Sequence, residues 1–231
     1  MQNDKNKTQA PERELFNKDL DGQLQDRVER MKEELVDGFL ELRKYPKSVT
    51  FFGSARFHED NPYYQKARRI AQLLCKEGFT VITGGGPGIM EAGNRGTKEA
   101  CGKGVGFNIQ LPREQSLNPY ITDQLEFHYF FTRKVSMVFS AEAFLVFPGG
   151  FGTLDEFFEI LTLVQTKKIP RLPIVLVGRA YWEPLHDFIQ ENLVSKFQTV
   201  SPEDVNLYRI EDDIDEIVKL VKAAPMRYEY D

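Results

Sequence analysis

From residue 47 onward the chain alternates strand-length runs of β-branched and aromatic residues with stretches of helical periodicity, and this alternation restricts the fold more than any other feature. The runs fall at residues 49–52, 80–83, 105–109, 125–129, 143–147, 174–177 and 207–210. Helical patterns lie near 63–76, 89–101, 132–140, 154–165, 182–193 and 214–223. Apolar strands separated in most cases by a helix predict a mainly parallel α/β sheet covered on both faces. Ligands of such sheets sit beyond the carboxyl ends of the strands, so the turns that follow the strands carry the functional information.

Ahead of this region, Leu24, Val28, Met31, Leu35, Phe39 and Leu42 recur at three- and four-residue steps. They predict an added amphipathic N-terminal helix that stops before Pro46. Residues 1–46 are therefore read as a flexible tail, frayed over 1–14, followed by this helix, and 47–231 as the main domain. With 30 Lys and Arg against 35 Asp and Glu, the formal net charge of −5 lacks the basic footprint of a nucleic-acid binder, so any anionic ligand must be held locally. Cys75 and Cys101 cannot build a disulfide framework, and they show no metal-ligand spacing. His58, His128 and His186 are also too scattered for a metal site. No run is long enough to cross a bilayer, and the N-terminal stretch lacks the apolar core of a signal peptide. A cytoplasmic protein with no membrane partner is expected.

Three turns and one helix start stand out. Gly53-Ser54-Ala55-Arg56 follows the first run, and its amides, the Ser54 hydroxyl and Arg56 could meet an oxyanion or merely form a tight corner. Gly84-Gly85-Gly86-Pro87-Gly88-Ile89-Met90-Glu91-Ala92 follows the second, where successive glycines bring backbone close to a ligand and a proline suits the first helical turn. The spacing fails the G-x-G-x-x-G dinucleotide fingerprint, and no Walker A loop exists because Lys103 precedes Gly104. Pro148-Gly149-Gly150-Phe151-Gly152-Thr153-Leu154-Asp155-Glu156 follows the fifth run and has the makings of a phosphate cradle at a helix N-terminus. The spacing from Thr153 to Glu156 equally spells a capping box, and both readings stand. Arg133 and Lys134 open a helix, where adjacent cations oppose the macrodipole unless an anion lies nearby.

Taken in that order, the G-G-G-P-G-I-M-E-A turn, the Arg133-Lys134 pair and the P-G-G-x-G-T-x-x-E stretch resemble the Lonely Guy (LOG) family of cytokinin riboside 5′-monophosphate phosphoribohydrolases, over roughly residues 47–193. The chain departs from plant-type members in having Phe131-Thr132 before the pair, and Gly88-Ile89-Met90-Glu91 where they carry G-L-M-G; the latter is closer to bacterial nucleotide nucleosidases. The resemblance implies a Rossmann-like, doubly wound nucleotide-binding fold. It also implies a homodimer that hydrolyses the N-glycosidic bond of a nucleoside 5′-monophosphate, such as AMP or a cytokinin riboside monophosphate, without a metal or other cofactor.

Arg133 and Glu156 fall on the family's catalytic pair, Gly149, Gly150, Phe151, Gly152 and Thr153 on its phosphate loop, and Thr162 on a pocket threonine. Ser54, Gly86, Glu91 and Lys134 join them as candidate substrate contacts. Nothing in the chain resembles a pyridoxal-phosphate site. The chemistry suits the residues, since cleavage of an N-glycosidic bond builds an oxocarbenium-like ribose that a carboxylate stabilises, while a cation meets the departing base. The alternative is a non-catalytic carrier or sensor that uses the same cradle.

Overall fold

In the computed structural model, residues 20–110, 117–139 and 141–225 are described. The expected fraying of 1–14 lies outside them. The elements are α1 (Leu20–Leu42), β1 (Ser48–Phe52), α2 (Pro62–Lys76), β2 (Thr80–Thr83), α3 (Ile89–Glu99), β3 (Gly104–Ile109), β4 (Asp123–Phe127) and α4 (Phe130–Phe139). They continue with β5 (Ala143–Val146), α5 (Phe151–Gln165), β6 (Ile174–Leu176), α6 (Arg179–Phe188), β7 (Arg209–Ile210) and α7 (Ile214–Lys222). A π-helical stretch, Ile189–Lys196, extends α6, so the single helix expected over 182–193 is two segments.

The seven strands form one sheet in the order β4-β3-β2-β1-β5-β6-β7, and every neighbouring pair is parallel. The expected Rossmann-like, doubly wound architecture is present. Because the chain leaves β1 toward β2 on one side and resumes beside β1 with β5, the switch point lies between β1 and β5.

Alternation along each strand divides the core in two. On β5, Phe144 and Val146 face a cluster with Met137 of α4, Phe157 and Ile160 of α5 and Trp182 of α6. Ala143 and Leu145 face the opposite cluster with Ile70 and Leu74 of α2, Ile89 of α3 and Ile217 of α7. All of these side chains are essentially excluded from water. Burial on both faces accounts for strands that read as continuous apolar runs. Among the described residues, no helix is long and apolar enough to cross a membrane.

One boundary matters for function. Helix α5 starts at Phe151 with Gly150 as its N-cap, three residues before the expected start. Thr153 therefore sits within the first turn, no described side chain caps the helix, and the capping-box interpretation of Thr153 and Glu156 falls. The stretch from Phe151 to Thr153, expected to belong to a loop, is helical.

Candidate active site

The turns after β1, β2 and β5 are tied together by backbone. The Ser54 N–H donates to the Pro148 carbonyl at 3.0 Å, and the Ile89 N–H donates to the Ser54 carbonyl at 3.0 Å. Above this junction opens a cleft of about 990 Å³ whose walls include Ser54, Gly84, Arg133, Gly150, Thr153 and Glu156. The remaining glycine-loop members, Gly149, Phe151 and Gly152, line it too.

Arg133 lies in the first turn of α4 and is only 8% exposed. Its Nε donates to the Phe107 carbonyl at the end of β3, 2.7 Å away. Burial draws its pKa below the usual arginine value, and the Glu156 carboxylate opposes that shift. The group remains a cation at any ordinary pH.

Glu156 reaches the same cleft from α5 and is half-buried. Burial raises its pKa to about 7, against the opposing pull of Arg133. A carboxyl group that exchanges its proton near neutrality beside a desolvated cation is suited to acid–base or electrostatic work.

The cradle is built at the start of α5. Gly150 and Gly152 are exposed, and a β-carbon at either would meet nothing within 4 Å. Uncapped first-turn N–H groups at the positive end of a helix form a ready anion site. Tyr181 of α6 braces the loop by donating from its hydroxyl to the Gly149 carbonyl at 2.6 Å.

Four of the expected site residues do not line the cleft. Lys134 turns to Asp155 at 2.9 Å and Glu159 at 3.2 Å, which supply the anions its position demanded. Thr162 is exposed, with its hydroxyl donating back to the Phe158 carbonyl at 2.7 Å, the ordinary use of a mid-helix threonine. Glu91 accepts from the Tyr64 hydroxyl at 2.8 Å. Gly86 is buried, and its carbonyl accepts from Asn118 at 3.0 Å. Sequence reasoning overlooked Tyr181 and Phe130 and placed neither Met90 nor Arg56 among the site residues, although all four line the cleft. The turn after β6, adjacent to β5, was the available signal for Tyr181.

A family model described as "Possible lysine decarboxylase" matches residues 90–221. The cytokinin riboside 5′-monophosphate phosphoribohydrolase of Rhodococcoides fascians is 28% identical over 165 residues, 69% of this chain and 82% of that protein. The pyrimidine/purine nucleotide 5′-monophosphate nucleosidase of Escherichia coli K12 is 25% identical over 168 residues, 67% of this chain but 37% of that longer protein. Among solved structures, the molybdenum cofactor binding protein of Rippkaea orientalis shares the fold, with a TM-score of 0.57 and 20% identity over 77% of this chain and 96% of that one.

The decarboxylase description implies pyridoxal phosphate, which needs a lysine amine in the cleft to form its Schiff base. Among the described residues, the cations lining the cleft are Arg56 and Arg133, while Lys134 is engaged with two carboxylates outside it. The residues present do not fit that cofactor.

Proposed function

The chain belongs to the LOG family, and from that premise we propose that it hydrolyses the N-glycosidic bond of a nucleoside 5′-monophosphate, of the AMP or cytokinin riboside monophosphate type, to free base and ribose 5-phosphate. The observation that carries this reading is that Glu156, the buried Arg133 and the uncapped start of α5 meet in one cleft, where burial pushes the Glu156 pKa up. A carrier of phosphorylated ligands needs the glycines and a cation, but has no use for such a carboxylate.

In this mechanism the bond from C1′ to the base nitrogen breaks with its electron pair leaving on the base. The ribose acquires oxocarbenium character, and water adds at C1′. Ionised Glu156 stabilises the positive ribose and receives the water proton, a role that a pKa near the working pH favours. Arg133 stabilises negative charge on the departing base; a guanidinium is too weak an acid to protonate it. Glu156 then returns that proton to solvent and the departing base takes one up from solvent, so the net change is one water consumed per bond. The 5′-phosphate rests on the N–H groups at the start of α5, and this remote binding energy is used in the transition state.

Incubation with a panel of nucleoside monophosphates, with chromatography of the free base, tests the proposal. AMP is expected to release adenine, with adenosine showing a lower kcat and a higher KM; equal rates on AMP and adenosine contradict it. Nucleotide binding without any base release supports the carrier.

A homodimer is part of the same proposal. Phe130, Phe131 and Phe139 of α4 are 56%, 45% and 53% exposed, an apolar surface suited to self-association. Light scattering at micromolar concentration is expected to give twice the chain mass, and the mass of one chain contradicts the assembly.

A further inference from the structure

The lysine of the Arg133-Lys134 pair finds its anions on α5, and a further carboxylate reaches the start of α4 from an unexpected place. Helix α1 runs alongside α4 in the same direction, with Glu34 beside Thr132 and Gly38 beside Ser136. The approach is close: a β-carbon at Gly38 would sit 2.3 Å from the Ser136 Oγ. Phe39 and Phe139 extend the seam, their rings edge to face at 5.3 Å.

At the upper end of this seam the Glu34 carboxylate meets the start of α4. Its Oε1 accepts from the His128 N–H at 2.8 Å, and its Oε2 accepts from the Tyr129 N–H at 3.3 Å and lies 2.5 Å from the Thr132 hydroxyl. These N–H groups belong to the two residues that lead into the helix, and a carboxylate at that end offsets the macrodipole. Only these two residues, His128 and Tyr129, connect β4 to α4, so Glu34 fixes the hinge from which the helix starts. Arg133 follows Thr132 directly, and its own N–H bonds back to the Tyr129 carbonyl at 3.3 Å.

We propose that Glu34, on the added helix α1, is a positioning residue for Arg133, so that α1 belongs to the catalytic apparatus and is more than a cover for the sheet. The proposal rests on the assignment of Arg133 to the substrate. Two constraints set the guanidinium: the Phe107 carbonyl holds its Nε, and the Glu34 carboxylate holds the turn that carries its Cα. Release of the second leaves the side chain tethered at one end only, and small misplacements of such a group are costly to turnover.

The test uses the full chain with Glu34→Ala, Glu34→Gln, Arg133→Met and the double variant Glu34→Ala/Arg133→Met. Glu34→Ala is expected to lower kcat/KM for AMP on the order of tenfold, with inhibition by inorganic phosphate unchanged because the cradle sits on α5. Glu34→Gln, whose amide oxygen still accepts from the Thr132 hydroxyl and the backbone, is expected to recover part of the loss. In the Arg133→Met background, loss of Glu34 is expected to change kcat/KM by less than about twofold, as for residues acting through one another. Losses that multiply, or a matching weakening of phosphate inhibition, overturn the proposal. Calorimetric AMP affinities of the same chains separate the two levels of inference. A parent that binds AMP without releasing base removes the hydrolytic function, and the same cycle then decides Glu34 through Kd. A parent that binds no AMP overturns both.

Discussion

The guanidinium of Arg133 lies against the backbone of Gly84, so closely that a β-carbon at residue 84 would stand 2.0 Å from an Arg133 Nη. A second obstacle, the Met90 sulfur, would lie 2.8 Å away. The turn after β2 thus serves the site through absence of a side chain: it makes room for the cation delivered by α4. Gly84→Ala is expected to displace Arg133 and lower kcat/KM on the order of 10²-fold, with an overpacking cost of about 1–3 kcal/mol visible in denaturant melts. A folded Gly84→Ala protein with unchanged kinetics would show that the placement of Arg133 is immaterial.

Tyr181 is expected to bear on substrate binding more than on bond cleavage. Its hydroxyl holds the Gly149 carbonyl at the base of the glycine loop. Tyr181→Phe keeps the ring and deletes one hydrogen bond, worth about 0.5–1.5 kcal/mol. KM for AMP is expected to rise several-fold while kcat changes little, and steady-state kinetics at saturating substrate distinguish this from a fall in kcat alone.

Lys134 tests whether its position beside Arg133 makes it a phosphate ligand. The structure gives its ammonium to Asp155 and Glu159, outside the cleft. Lys134→Met is expected to leave KM for AMP within about twofold and to cost about 1 kcal/mol or less in stability, as partly exposed ion pairs do. A large rise in KM, measured against the parent chain, would return Lys134 to the binding site.

Glu156 has a stability signature independent of substrate. Its pKa is raised from an ordinary 4.5 to about 7 in the fold because burial disfavours the charge. A carboxyl group shifted upward keeps its full contribution below the unfolded value, loses it as pH rises between 4.5 and 7, and stays at the lower level above that. Glu156→Gln removes this dependence. The variant is therefore expected to match the parent at pH 4 and to exceed it at pH 8 by on the order of 1–3 kcal/mol, read from paired thermal or urea melts.

Much of this architecture was legible before any coordinates. Thr80–Thr83 coincides with its run because β-branched residues buried on both faces leave no polar alternation to blur the ends. The start of α5 was misplaced because Gly150 and Gly152 carry poor helix propensity, so a glycine pair around Phe151 resembles a loop. The Thr153–Glu156 spacing then imitated a cap. Arg133 and Glu156 were found through motif resemblance, and the structure brings both to one cleft. Thr162 and Lys134 came from the same resemblance but do not reach the cleft: Thr162 bonds back to the Phe158 carbonyl of its own helix, and Lys134 turns to Asp155 and Glu159 of α5. Glu34 and Tyr181 could not be read locally, since their partners lie 94 and 32 residues away and only the tertiary fold joins them.

The central claim is that ionised Glu156 takes part in cleavage of the N-glycosidic bond, and the pH dependence of kcat for AMP, measured for the parent and for Glu156→Gln at saturating substrate, tests it most directly. The parent is expected to gain turnover as pH rises and to level off once the carboxyl group, whose pKa burial raises, is ionised in the substrate complex. Glu156→Gln is expected to fall by on the order of 10²-fold or more and to lose that rising limb, as follows removal of one preorganised electrostatic partner. Near-normal turnover of the glutamine variant across the same pH range would contradict the claim.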